Sequence, residues 1–269
     1  MQIGDSRKNN FLALECVSQW LGHDKDSLTP YYVELIQNTH FLHEISIQMD
    51  KVSNFKSQPP GLFDRIPITN PDWFGLQRIF LYCFVRLTKP NLVVETGVYY
   101  GGNSSFVLEA LELNKHGRLI GVDLPHHSMS NHQRANRHPW VGESELYSSK
   151  NQPGMIIPDY LNSRFKIQIG DSVDEINKIE EKVDFFIHDS EHTYRHVENE
   201  LSAAKELMRF DGMILVDDVD WSNAFYDFVV RNNLYPYFLP DNGKDNLRIR
   251  TGLVKLNHKY NNLSKVTIR

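Results

Sequence analysis

From residue 91 onward the chain alternates short β-branched runs with longer stretches whose apolar residues recur at helical spacing. Strands are expected at 91–96, 118–123, 165–169, 183–188 and 212–217, with helices near 104–114, 172–181, 195–209 and 222–232. Strands separated by helices imply a parallel sheet covered on both faces. The tail runs Tyr235-Pro-Tyr-Phe-Leu239, then Asp241-Asn-Gly243, then Arg248 to Leu256, and reads as two strands around a turn.

Residues 1 to about 60 are patterned differently. Phe11 to Leu21 and Tyr31 to Met49 carry apolar residues at helical spacing: Leu12, Val17 and Trp20, then Val33, Ile36, Phe41 and Ile45. Pro30 sits near the start of the second helix, where proline is tolerated. The break Lys56-Ser-Gln-Pro-Pro-Gly61 separates this extension, 1–60, from a domain at 61–269 that opens with a helix from Trp73 to Leu87. The apolar faces of the extension need cover, either as a cap over a crevice or as a homodimer surface.

The connection from Leu124 to Ser163 far exceeds an ordinary link between strand and helix, which runs about 2–6 residues. This insert, 124–163, holds four of the 12 histidines (His126, His127, His132, His138) and Trp140. It reads as a lid or substrate-recognition segment, or else as a surface excursion. Its histidines lack a metal-ligand spacing.

Composition narrows the classes. Hydrophobic content of 41% and charged content of 23% are ordinary globular values. A net charge of −5 gives no electrostatic footprint for nucleic acid. Cys16 and Cys83 form no C-x-x-C pair and lie in apolar helical patterns, so buried free thiols are expected. The first residues lack an apolar signal region and no run is long enough to span a membrane, so a soluble cytoplasmic protein is expected.

The chemistry concentrates at strand ends. Leu92-Val-Val-Glu-Thr-Gly-Val-Tyr-Tyr-Gly-Gly-Asn-Ser105 is a strand, a tight turn and a helix start, and Arg118-Leu-Ile-Gly-Val-Asp123 is a second strand ending on an acid. A dinucleotide fold would show G-x-G-x-x-G. Here the spacing is Glu95-x-Gly97-x-x-x-Gly101, with a carboxylate before the first glycine. That carboxylate would repel a pyrophosphate but attract a cationic, amino-acid-bearing ligand such as S-adenosylmethionine. A nicotinamide-dependent oxidoreductase is therefore the weaker alternative.

Two later strands also end in acids: Val183-Asp-Phe-Phe-Ile-His-Asp189, and Gly212-Met-Ile-Leu-Val-Asp217 followed by Asp218. Carboxyl ends of parallel strands converge on one crevice. Like charges about 4 Å apart repel by about 4 kcal/mol at an effective dielectric near 20. Asp189, Asp217 and Asp218 therefore need a proton or a hard cation, Mg²⁺ before Ca²⁺ or Mn²⁺. Otherwise Asp218 caps the next helix and Asp217 faces solvent. His188, His192 and His196 fall four apart, but His188 belongs to the strand, which argues against a zinc stripe. Gly170-Asp171-Ser172 closes another strand, where Asp171 or Ser172 can meet a base edge, cap the next helix, or do both.

These motifs resemble the class I S-adenosylmethionine-dependent methyltransferases, whose first motif is E/D-x-G-x-x-x-G. The resemblance implies a Rossmann-like α/β fold with a mostly parallel seven-stranded sheet ending in an antiparallel hairpin. It places the cofactor against Glu95, Gly97, Tyr99, Gly101, Asn103, Ser104, Asp123, Leu124, Gly170, Asp171, Ser172 and Asp189, with Asp123 on the ribose. The acid-rich ends are similar to the metal-dependent O-methyltransferases, such as the catechol and caffeoyl-CoA enzymes, and closer to bacterial proteins of the cephalosporin hydroxylase neighbourhood. That likeness covers about residues 73–256. It implies metal ligands at Asp189, Asp217 and Asp218, catalytic roles for Asp189 and His192 (the latter as base), and a small hydroxylated acceptor such as a sugar or natural product. His192 otherwise reads as a helix-start residue bonded to backbone. The Asp217-Asp218 pair departs from the Asp-Asn of the catechol group. A non-catalytic cofactor-binding protein is a further alternative.

Overall fold

The computed structural model describes residues 3–53, 75–124, 153–241 and 248–259. Its elements are α1 (Ile3–Trp20), α2 (Thr29–Gln37), α3 (Thr39–Ser53), α4 (Gly75–Thr88), β1 (Leu92–Thr96), α5 (Gly102–Asn114) and β2 (Arg118–Asp123). A 3-10 helix (Asp159–Arg164) follows, then β3 (Phe165–Ile169), α6 (Ser172–Ile176), β4 (Val183–His188), α7 (Tyr194–Leu207) and β5 (Met208–Val216). The chain continues through α8 (Ala224–Arg231), β6 (Leu234–Asp241) and β7 (Arg248–Lys259).

The strands form one sheet in the order β3-β2-β1-β4-β5-β7-β6. β1 to β5 pair in parallel, and β7 runs antiparallel between β5 and β6. This is the expected Rossmann-like arrangement with a C-terminal hairpin. β1 is buried at every position, as its unbroken apolar run requires of a strand covered on both faces. Val93 points to the core shared with α4 and α5, whereas Leu92 and Val94 point to the core under α6, α7 and α8. Strand order reverses between β1 and β4, which opens a crevice at their carboxyl ends.

The N-terminal helices differ in detail from expectation. The helix expected over 31–49 is two helices broken at Asn38. The Asn38 N–H closes α2 on the Leu35 carbonyl, and its Oδ1 accepts from the Phe41 N–H at 3.1 Å to start α3. The buried face consists of Leu14, Val17, Leu21, Tyr32, Leu35, Phe41 and Ile45, whereas Leu12 and Val33 turn outward. That face packs into the core of α4 and α5, so a second subunit is not needed to cover it. Arg86 on α4 grips Glu34 on α2 with two hydrogen bonds of 2.6 and 2.8 Å, and Tyr82 adds a third.

Other expectations shift. Cys83 is buried and its thiol is pushed well up by burial, but Cys16 is exposed because it lies on the outer face of α1. The helix expected over 172–181 stops at Ile176. β5 begins early, at Met208, through an irregularity in its pairing with β4. Of the insert, His126, His127, His132, His138 and Trp140 lie outside the described residues, as does the turn at Asn242-Gly243. Among the described residues, no helix is long and apolar enough to cross a membrane.

Candidate active site

The loop after β1 is built by close approach. Gly97 has φ +80°, and a Cβ there would lie 2.0 Å from the Asp189 carbonyl oxygen. Gly101 has φ +95° and starts α5, with Ile157 packed where its side chain would be. The chain returning from the insert pins this loop: the N–H groups of Gly154 and Ile156 donate to the carbonyls of Tyr99 and Tyr100. These glycines are therefore explained by protein packing as well as by any cofactor.

Glu95 is buried behind the loop, where its carboxylate accepts from the Ser104 hydroxyl in the first turn of α5. Burial pushes it up to about 8 against the lowering effect of Ser104, and the nearby Asp123 pushes the same way. It therefore does not present the open charge that the sequence suggested. Asp123 is more accessible. Its Oδ2 accepts from the Tyr99 N–H at 2.6 Å and its Oδ1 from the Leu124 N–H at 2.7 Å, so both oxygens are fixed at the end of β2.

At the end of β3, Asp171 caps α6 by accepting from the Val173 and Asp174 N–H groups. Ser172 is buried, with its hydroxyl 3.3 Å from His196 Nε2. A Cβ on Gly170 would meet Glu175 Oε1 at 2.4 Å.

The ends of β4 and β5 bring acids together. Asp189 accepts from Asn103 Nδ2 at 2.8 Å. Burial, then Asp217 and Glu95, push its carboxyl well above the ordinary range, and it shares a hydrogen bond with Asp217. Asp218, with φ +49°, turns elsewhere: its Oδ2 lies 3.6 Å from His192 Nε2. Asp218 does not cap α8, whose cap is Asn223. Three carboxylates suit a hard cation chemically. Yet among the described residues no group of three or more His, Cys, Asp or Glu side chains converges to hold a metal. Asp189 and Asp217 lie against each other, whereas Asp218 faces His192.

His192 precedes α7 rather than lying within it, and is flanked by Asp218 on one side and Trp221 on the other, with ring centroids 5.8 Å apart. Trp221 is 46% exposed. Beyond it opens a cleft of about 580 Å³ lined by Val219, Asp220, Trp221, Ser222, Asn223 and Tyr226. A second cleft, between Asn38, His40, Glu109 and Tyr160, lies away from the strand ends at the C-terminal half of α5.

Glu200 was not singled out in the sequence. Fully buried on α7, it accepts from Thr96 Oγ1 at 2.7 Å, Ser190 Oγ at 2.8 Å, His188 at 2.6 Å and His196 at 2.7 Å. Burial alone would raise its pKa, but the two histidines hold it well below the usual carboxylate range. His188 and His196 are thus tied to a carboxylate rather than arranged with His192 as a zinc stripe. The i,i+4 spacing of His196 and Glu200 was the available signal. Arg78 on α4 was also missed; it donates to Asn103 Oδ1 at 3.3 Å.

Residues 94–219 match the model of a methyltransferase domain family. The fold is similar to an O-methyltransferase from Bacillus cereus in complex with S-adenosylhomocysteine, at 18% identity over 82% of this chain and 93% of that one, with a TM-score of 0.53. It is also similar to the O-methyltransferase TomG from Streptomyces achromogenes, involved in tomaymycin synthesis and in complex with S-adenosylmethionine. There the identity is 13% over 81% of this chain and 91% of that one, with a TM-score of 0.51. No curated protein matches the chain in sequence. The motif at Glu95–Gly101, the sheet order and the match over 94–219 agree on a Rossmann-like methyltransferase fold.

Proposed function

We propose that the protein transfers a methyl group from S-adenosylmethionine to a hydroxyl of a small acceptor, with His192 as the base. The 3.6 Å pairing of His192 with Asp218, beside Asp189 at the end of the adjacent strand, carries this reading. The two solved relatives above are O-methyltransferases bound to S-adenosylhomocysteine and S-adenosylmethionine, which supports oxygen as the accepting atom and this cofactor.

When bound, the cofactor supplies an activated methyl group on a sulfonium. The chain's own residues orient and deprotonate. Asp123, fixed by two backbone N–H groups, has the rigid carboxylate geometry a ribose diol needs. The acceptor enters from the cleft beside Trp221. His192 takes the hydroxyl proton, and Asp218, 3.6 Å from Nε2, stabilises the resulting imidazolium. Alignment of acceptor and methyl supplies much of the remaining rate.

A divalent cation such as Mg²⁺ is a second reading, favoured by the neighbouring carboxylates of Asp189 and Asp217. No step above depends on it. Transfer of labelled methyl from S-adenosylmethionine to a panel of phenols, sugars and hydroxylated natural products tests the main reading, with and without exhaustive chelation. Transfer that persists in chelator removes the cation. Cofactor binding without transfer to any acceptor leaves the protein as a binding module.

A further inference from the structure

His188 ends β4 and is fully buried, and its ring stands at 89° to that of His192 with centroids 5.8 Å apart. We infer that His188 is a positioning residue for the base: its ring holds the His192 imidazole in place against Asp218. The inference rests on the reading of His192 as the base of the proposed transfer.

The His188 ring is itself anchored. Its Nδ1 donates to Glu200 Oε2 at 2.6 Å. The same carboxylate accepts from Thr96, Ser190 and His196, so it cannot swing with the ring. The backbone is held too: His188 pairs with Thr96 of β1 and Val216 of β5, and its carbonyl accepts from the Asp217 N–H at 2.9 Å. Three strand ends and α7 therefore fix one imidazole.

His192 has no such frame of its own. It lies in the link between β4 and α7, so no helix or strand sets its direction. Asp218 meets it at 3.6 Å, and Trp221 lies against it. Both belong to the segment after β5, and Trp221 is half open to solvent. Of these three neighbours only His188 is fully buried. A perpendicular contact is favoured between aromatic rings. It lets the anchored ring set the direction of the looser one.

Packing alone does not account for a histidine at this position. Phe186, two residues earlier on the same face of β4, is apolar and buried. Nε2 of His188 is buried with no hydrogen-bond partner among the described residues, whereas buried polar atoms are usually paired. Glu200 uses one nitrogen only, a role that the amide of an asparagine could fill. The rest of the ring is left for His192.

Crystal structures, together with transfer of labelled methyl from S-adenosylmethionine to the phenols, sugars and hydroxylated natural products above, test the inference. The wild-type crystal should show one orientation of His192, across the His188 ring. His188→Asn keeps a donor for Glu200 and removes the ring. Its His192 should turn or take several orientations, and kcat should fall by about 10²-fold, the cost of a displacement of about 1 Å. KM for S-adenosylmethionine should stay constant. His188→Phe restores a ring and should regain part of kcat. A wild-type crystal with His192 turned away from His188 overturns the inference whether or not the variants fold. So does His188→Asn with wild-type kcat, or with kcat lost in step with cofactor affinity, since His188 and Glu200 would then only join the strand ends. A wild-type protein that transfers methyl to no acceptor defeats the reading of His192 as base, and the inference with it.

Discussion

Gly97 and Asp189 meet backbone to backbone: a Cβ on Gly97 would stand 2.0 Å from the Asp189 carbonyl oxygen. The Asp189 N–H also donates to the Thr96 carbonyl, so the ends of β1 and β4 are locked together just where the first motif turns. Gly97→Ala meets both a left-handed backbone, at φ +80°, and this contact. The backbone costs about 1–2 kcal/mol and overpacking about 1–3 kcal/mol more. The variant should melt several degrees below wild type and lose cofactor affinity as Asp189 is displaced. Unchanged melting would show that the two strand ends separate freely.

His192 is paired with Asp218 and lies against Trp221, both in the segment that follows β5, so its removal should touch proton transfer rather than the loop at 97–101. His192→Ala is expected to lower kcat by about 10²–10⁴-fold, the usual worth of a general base. Affinity for S-adenosylmethionine should stay nearly constant. Loss of that affinity with kcat preserved would make His192 a binding residue and leave the base unassigned.

The strands and their acidic ends were legible because each is local: a β-branched run followed by Glu95, Asp123, Asp189 or Asp217. What each acid does was not legible, because it depends on partners far away in sequence. Glu95 is enclosed by Ser104, Asp189 lies against Asp217, and Asp218 swings away through a positive φ. No spacing rule distinguishes these outcomes from three ligands around one ion. The Glu200 hub was hidden for a related reason, since its donors Thr96 and His188 come from two other strands. Within α1–α3 the periodicity showed helices and most of their buried positions, although Leu12 and Val33 turn outward, and Asn38 broke a pattern whose apolar residues continue past it.

Glu95 predicts a pH dependence. Its folded pKa, about 8, exceeds its ordinary value of 4.5. The folded state therefore binds the proton more tightly than the unfolded chain, and the group costs stability once the unfolded carboxyl has ionised. The loss begins as pH rises through about 4.5 and is complete above about 8. Its upper bound is about 1.4 kcal/mol for each pH unit crossed between those two values. Glu95→Gln should thus be more stable than wild type at pH 8 and nearly equal to it at pH 4. Parallel melting curves across that range would show that Glu95 stays ionised in the folded protein.

The last prediction concerns the extension. Leu14, Val17, Leu28, Tyr32, Leu35 and Phe41 are all fully buried in the core that also holds α4 and α5. Burial of one large apolar side chain is worth about 1.5–3 kcal/mol, so these six account for about 9–18 kcal/mol before conformational entropy is counted. Whole domains retain only about 5–15 kcal/mol of net stability. Deletion also strands polar groups: Arg86 loses Glu34, and Glu109 loses the Asn38 amide. Removing residues 1–60 should therefore leave a chain that aggregates or melts without a cooperative transition, as size-exclusion chromatography and calorimetry would show. A folded, monomeric product would instead establish residues 61–269 as an independent domain. The α4 face left bare, around Ile79, Phe80 and Tyr82, would then have to find new cover within that domain.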